Sequence, residues 1–261
     1  MVKRLKLILS YTPFILEQQF YMLIPFLKKN MKLGKFKLFL LTTITLNTLF
    51  WHNAWADKYF GFESVSPFVI DKPFVMNSSE HKNQIEQVIL MQKNVELEEI
   101  DQALHEKQLR PETVVNHVYK SITREKFPKL YSLLDRVGDT SRDVTNGVKD
   151  YWKISRPFEV SKDVQPLISK SAGFCYPSGH TTGGYIYAIV MGLLIPNKTE
   201  EFRSYAHQIA WHRVQVGMHY PQDLEGGKQL ATFLVGGLMQ NVEFQNDLKK
   251  AREELKKAGI V

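Results

Sequence analysis

The sequence predicts an all-α protein, a single-domain helical bundle with a central buried helix following the turn Pro177-Ser178-Gly179-His180. Three observations carry this expectation. Apolar residues recur at helical spacing along most of the chain, and no stretch keeps a period of two for long. The segment Gly183 to Ile195 is apolar nearly all round, as a helix enclosed on every side must be.

Taken in order, residues 57–77 are aromatic and carry Pro67 and Pro73 without a sustained period, so they read as an extended arm over the core. Ser78 and Ser79 cap a polar helix with Ile85, Val88, Ile89 and Gln92 at helical spacing, because their hydroxyls can accept from the unpaired amides of a first turn. A second helix carries Leu97, Ile100, Ala103 and Leu104. Pro111, whose fixed φ suits a first helical position, opens a third with Val114, Val115, Val118, Tyr119 and Ile122 on one face. A longer helix follows Pro128, with Leu130, Leu133, Leu134, Val137, Val144, Val148 and Trp152. Pro196 and Asn197 end the central helix, and residues 199–216 form an amphipathic one. Pro221 opens the last long helix, with Leu224, Leu230, Phe233, Leu234 and Leu238, and residues 241–260 read as a charged, solvated tail helix.

The formal charge of the 261-residue chain is +7, which would ordinarily point to nucleic acid or an anionic membrane as partner. Its distribution removes the nucleic-acid class. Residues 1–56 hold eight of the 34 basic residues and only Glu17 among the acids, which leaves 26 basic and 26 acidic residues from Asp57 onward. The basic stretch 31–37, the apolar run 38–50 and the small-x-small sequence Ala54-Trp55-Ala56 have the three parts of a secretory signal peptide. The expectation is therefore a leader over residues 1–56, with the signal peptide starting at about Met31 and cleavage after Ala56, and a 57–261 domain that is periplasmic or secreted. Residues 1–30, broken by Pro13 and Pro25, read as an extension ahead of the true start, and an uncleaved anchor is the runner-up for 38–50. Neither apolar helix after residue 56 has the length of a stable membrane span. Cys175 is the only cysteine, so no internal disulfide is possible, and a small buried residue is the expectation for it.

The turn at 177–180 is the chemically suggestive stretch. Unpaired amides at a helix start, together with the helix dipole, favour an anion in front of them, and Gly179 lets the backbone come close. Around it, Lys149 is followed after six residues by Arg156-Pro157, Arg213 after five by His219, and His219 after three by Asp223. Singly, each residue has a structural reading: Ser178 as a helix cap, Lys149 on a helix face, Arg156 as a helix end before proline, Arg213 as a surface cation, His219 and Asp223 as a capping pair. Together they supply what phosphoryl transfer needs, fixed cations and amides for the non-bridging oxygens plus two imidazoles and a carboxylate. His81, His105, His117 and His207 fall on polar helix faces and are expected at the surface, at spacings that match no metal motif.

As a set, Lys-x6-Arg-Pro, Pro-Ser-Gly-His and Arg-x5-His-x3-Asp resemble the signature of the phosphatidic-acid-phosphatase type 2 and vanadium haloperoxidase superfamily. Residues 137–142 leading to 149–152, together with 174–181, are similar to the class A bacterial nonspecific acid phosphatases, and the resemblance runs from about Ser79 to the tail. It implies an exported acid phosphatase acting on small phosphate monoesters, with His219 as nucleophile forming a phosphohistidine and Asp223 fixing its tautomer. By the same resemblance His180 is the proton donor and then the base, while Lys149, Arg156, Ser178, Gly179 and Arg213 hold the oxygens; no metal or other cofactor is implied. The signature has serine before the arginine of its third part, where this chain has His212, and the loss of that hydroxyl touches the phosphate shell without removing a catalytic group. The alternatives are a lipid or lipid-pyrophosphate phosphatase and a vanadium-dependent haloperoxidase. Oligomeric state and physiological substrate are left open by the sequence.

Overall fold

The computed structural model describes residues 58–261, and the expected leader, its cleavage after Ala56 and the start at Met31 lie outside the described residues. In chain order the helices are α1 (Ser79–Lys93), α2 (Leu97–His105), α3 (Pro111–Val118), α4 (Pro128–Trp152), the single turn α5 (Pro157–Val160), α6 (Gly179–Leu194), α7 (Thr199–Gln215), α8 (Pro221–Gln240) and α9 (Val242–Lys257). There is no strand among the described residues. The described residues are thus all-helical.

Helix α6 is the axis of the bundle. It packs against α4, α7 and α8, with α3 and α9 completing its surroundings. Ile186, Tyr187, Ala188, Val190, Met191 and Leu194 are all buried. Enclosing the isoleucine, valine, methionine and leucine side chains stabilises the fold by about 1.5–3 kcal/mol each, which is why an apolar circumference rather than an apolar stripe marks this helix in the sequence. The approach of α8 to the start of α6 depends on one glycine. A Cβ added at Gly227 would lie 2.7 Å from Thr181 Cβ and 3.0 Å from the Ser178 carbonyl, so a larger residue would push α8 away from the turn that carries His180.

Residues 58–77 form an extended arm with two short 3-10 turns, and its backbone is tied to helix side chains. Tyr59 N donates to Thr140 Oγ1, Phe62 N to Asp143, Asp71 N to Gln229 and Phe74 N to Gln222. Tyr59, Val65, Ile70 and Phe74 are buried by this course over α4 and α8. No helix among the described residues is long and apolar enough to cross a membrane.

Four local expectations are corrected. Helix α3 stops at Val118; Tyr119 and Ile122 lie beyond it, although Ile122 stays buried and its carbonyl accepts from Tyr131 Oη at 2.9 Å. The apolar spacing runs on past the point where the backbone turns, so periodicity overestimates the helix. The tail helix α9 is not simply solvated: Phe244, Leu248, Ala251 and Leu255 make a buried stripe against α4 that the surrounding charges hide. Phe233, placed on the apolar face of α8, is 43% exposed. His81 is 2% exposed rather than at the surface, and its ring is held between Asn77 N and Tyr220 Oη.

Candidate active site

Three helix ends converge where α4 finishes, α6 begins and the α7–α8 turn passes. On the last turn of α4, Lys149 Nζ donates to the carbonyls of Phe174 (2.7 Å) and Cys175 (2.9 Å). Arg156, at the N-cap of α5, gathers the facing loop through carbonyls. Its Nε donates to Gly173 O (2.9 Å), Nη2 to Ala172 O (3.3 Å) and Phe174 O (3.4 Å), and Nη1 to Met218 O (3.0 Å).

Arg213 lies in the last turn of α7, and the chain then reverses through Gly217, whose φ of 77° lies in the left-handed region that favours glycine. The amides of Met218 and His219 fold back onto the Arg213 carbonyl at 2.9 and 3.2 Å. This reversal turns His219 inward. Pro221 starts α8 immediately afterwards, so Asp223 falls on its first turn with Oδ2 accepting both from His219 Nδ1 (2.9 Å) and from Tyr220 N (3.0 Å). A carboxylate oxygen only accepts, so the Nδ1 of His219 carries the hydrogen and Nε2 keeps its lone pair. Arg156 Nη1 lies 3.4 Å from that Nε2. Burial, and after it Arg156 and Lys149, hold the His219 imidazole well below its ordinary range, while burial raises the Asp223 carboxyl and lowers the Lys149 ammonium.

Ser178 is the N-cap of α6. Its hydroxyl accepts from Thr181 N at 3.3 Å, and its amide donates to the Asp223 carbonyl at 2.9 Å, which binds the start of α6 to the start of α8. Gly179 is open toward Lys149: an added Cβ there would be 4.0 Å from Lys149 Cε. The His180 Nε2 faces the carbonyls of Glu106 (3.2 Å) and Lys107 (3.3 Å). Carbonyls cannot donate, so Nε2 bears the hydrogen and Nδ1 is the nitrogen left to exchange a proton. Desolvation by the surrounding protein, followed by the charge of Arg213, pushes His180 down to about 3. Arg213 Nε is buried with no hydrogen-bond partner among the described residues.

Glu106 belongs to none of the motifs. It follows α2 directly, is 1% exposed, and its carboxylate accepts from Arg213 Nη2 at 3.1 Å and lies 2.9 and 3.0 Å from His212 Nδ1. A second Nη2 contact, to Ala103 O at 2.8 Å, completes the seat of the guanidinium. His212, which replaces the signature serine, is therefore turned to a buried acid. The same residue that anchors Arg213 by its side chain accepts from His180 by its backbone.

The cavity beside this cluster has a volume of about 420 Å³ and is lined by His180, Gly179, Gly183 and residues from 107–110 and from α4. No group of three or more His, Cys, Asp or Glu side chains among the described residues is arranged to hold a metal ion. Cys175 is buried, with its thiol donating to Ser155 O at 3.3 Å.

Comparison with known proteins finds a family similarity over the cluster. Residues 140–247 match the PAP2 superfamily, a span that contains all eight site residues read from the sequence. A non-specific acid phosphatase from Providencia stuartii is 30% identical over 144 residues, covering 52% of this chain and 57% of that protein. An acid phosphatase from Zymomonas mobilis is 29% identical over 140 residues, covering 51% and 52%. The chain thus spans little more than half the length of the curated relatives it matches. The crystal structure of a bacterial vanadium-dependent iodoperoxidase superimposes with a TM-score of 0.50 at 16% identity, over 64% of this chain and 52% of that one, a likeness of fold alone. The convergent motifs thus fall inside the one stretch, residues 140–247, that is similar to the PAP2 superfamily.

Proposed function

We propose that this protein is an acid phosphatase that hydrolyses phosphate monoesters without a metal, through a phosphohistidine on His219, and that it is exported behind the leader at residues 1–56. The observation that supports it most is the pairing of His219 with Asp223. It leaves a lone pair on a buried Nε2 directed toward a site bordered by Lys149, Arg156 and Arg213. That lone pair attacks phosphorus as the ester P–O bond breaks, and His180 protonates the departing oxygen from Nδ1. Water, deprotonated by the same nitrogen, then attacks phosphorus; the P–N bond breaks and its electron pair returns to Nε2. Arg213, with its unpartnered Nε, Lys149, Arg156, Ser178 and the Gly179 amide stabilise the equatorial oxygens, and the Ser178 hydroxyl oxygen also fixes the turn. Hydrolysis of p-nitrophenyl phosphate at mildly acidic pH, undiminished by EDTA and inhibited by vanadate, is the expected result. Activity lost to EDTA and restored by a divalent ion would overturn it.

The pH dependence follows from the sign of the His180 shift. An imidazole held at about 3 is neutral in the free site near pH 5, so the proton that reaches the leaving group arrives with the substrate as its monoanion. Phosphate monoesters lose that proton at about pH 6. kcat/KM should therefore fall on the alkaline side with the ester's own second ionisation, moving to lower pH for aryl esters and to higher pH for alkyl ones. A limb fixed at one pH for every ester would assign the proton to the protein instead.

A further inference from the structure

The cavity touches the proton donor and not the nucleophile. His180 and Gly179 are in its wall, whereas His219, Asp223, Arg156 and Arg213 are not. In an in-line displacement the nucleophile and the leaving group lie on opposite sides of phosphorus, and the acid stands beside the leaving group. The cavity is therefore where the alcohol portion of an ester would lie, and its volume of about 420 Å³ suits a compact polyol rather than a long chain.

The charge of its wall is one-sided. Lys107, Arg110 and Arg142 contribute cations, Ser141, Asn146 and Gln108 contribute hydrogen-bonding groups, and no carboxylate belongs to the lining. Arg142 is neutralised by Asp139 at 2.6 Å. Lys107 and Arg110 are bound only by neutral groups: the ammonium donates to Ser169 Oγ, and Arg110 Nη2 donates to Gln108 Oε1 at 3.1 Å. Neither makes an ion pair among the described residues, and both are exposed, so they keep their charge and can turn to a ligand. Two uncompensated cations flanking the leaving-group side are unexpected for a site that accepts neutral alcohols.

We infer that this pocket selects leaving groups that carry an anion of their own, a second phosphate, with Lys107 and Arg110 as the specificity-determining pair. Substrates of this class are bisphosphorylated polyols or nucleosides, of which the enzyme removes one phosphate and releases the other still attached to the alcohol. The inference rests on the phosphatase reading for the orientation of the substrate, but binding tests it without turnover. Calorimetric titration at low salt compares butane-1,4-bisphosphonate with butylphosphonate, neither of which can be hydrolysed. The bisphosphonate should bind about tenfold or more tightly, since each exposed charge-assisted contact adds a few-fold. The double variant Lys107→Gln/Arg110→Gln should reduce the ratio to within about twofold, as should high salt. Both side chains are exposed, and thermal melting checks that the variant folds. Equal binding of the two probes by the wild type, or a ratio unchanged in the variant, overturns the inference. Tighter binding of 5-phosphonopentanoate than of the bisphosphonate overturns the choice of phosphate over carboxylate. A preserved ratio in a protein that fails to hydrolyse p-nitrophenyl phosphate would instead remove the phosphatase reading and leave the anion pocket standing.

Discussion

His219→Ala is expected to lose on the order of 10⁴-fold in kcat, because in the proposed mechanism it deletes the group on which the reaction is divided into two steps and leaves only the charge-stabilising surroundings. The loss should be the same for good and poor leaving groups. His180→Ala, in contrast, should retain much more activity toward p-nitrophenyl phosphate, whose oxygen departs with little need of a proton, than toward alkyl phosphates. Rapid mixing with labelled substrate, followed by alkaline denaturation to preserve a P–N bond, should trap label on the wild type and none on His219→Ala. Label recovered on the variant would remove the nucleophile assignment. The buried Asp223 predicts an accompanying change: without the imidazole its carboxylate keeps the Tyr220 amide as a partner at 3.0 Å, so the start of α8 should stay formed and the variant should melt as a folded protein.

Glu106→Gln should be the most damaging substitution outside the motifs, with kcat/KM down about 10–100-fold and most of the loss in kcat. The amide is nearly isosteric but uncharged, so Arg213 loses the carboxylate that fixes its Nη2, and the guanidinium is no longer held in place for the charge that grows on the equatorial oxygens. Glu106→Ala goes further and leaves the buried Arg213 guanidinium without its carboxylate, a change that typically costs about 3–5 kcal/mol of stability. A purely structural role would lower the melting temperature and the amount of active protein alike, with kcat per folded molecule preserved. Reduced kcat in a Gln variant that melts near the wild type, together with weakened inhibition by vanadate, is the outcome that identifies Glu106 as the residue positioning Arg213. Unchanged kcat would show that the Ala103 carbonyl suffices to seat the guanidinium.

The helices and most of the site were legible because their signals are local. Proline at the first position of α3, α4 and α8, serine at the N-caps of α1 and α6, and the apolar circumference of α6 each act within a few residues. The motif residues could be grouped because their spacings are fixed by helix ends and one glycine turn. Glu106 and His81 were not legible for the opposite reason. Their partners lie 106 and 139 residues away in the sequence, at His212 and Tyr220, and nothing adjacent distinguishes a buried glutamate or histidine from a solvated one. The stripe of α9 was hidden by composition: Phe244, Leu248, Ala251 and Leu255 keep helical spacing, but the charges between them dominate a reading of the segment as a whole.

The link between Glu106 and His212 also restricts the order in which such a site can be assembled by mutation. A chain with glutamate at 106 and serine at 212 would still pair the buried acid with Arg213, through the 3.1 Å contact seen here. A chain with histidine at 212 and no acid at 106 would leave the buried guanidinium with a carbonyl but no carboxylate, and the His212 Nδ1 without the partner it has here. The acid is therefore the permissive change and the histidine the dependent one. A lineage that acquired both in the reverse order would have passed through the less stable intermediate, and reverting His212 to serine should be far better tolerated than removing Glu106 while the histidine stays.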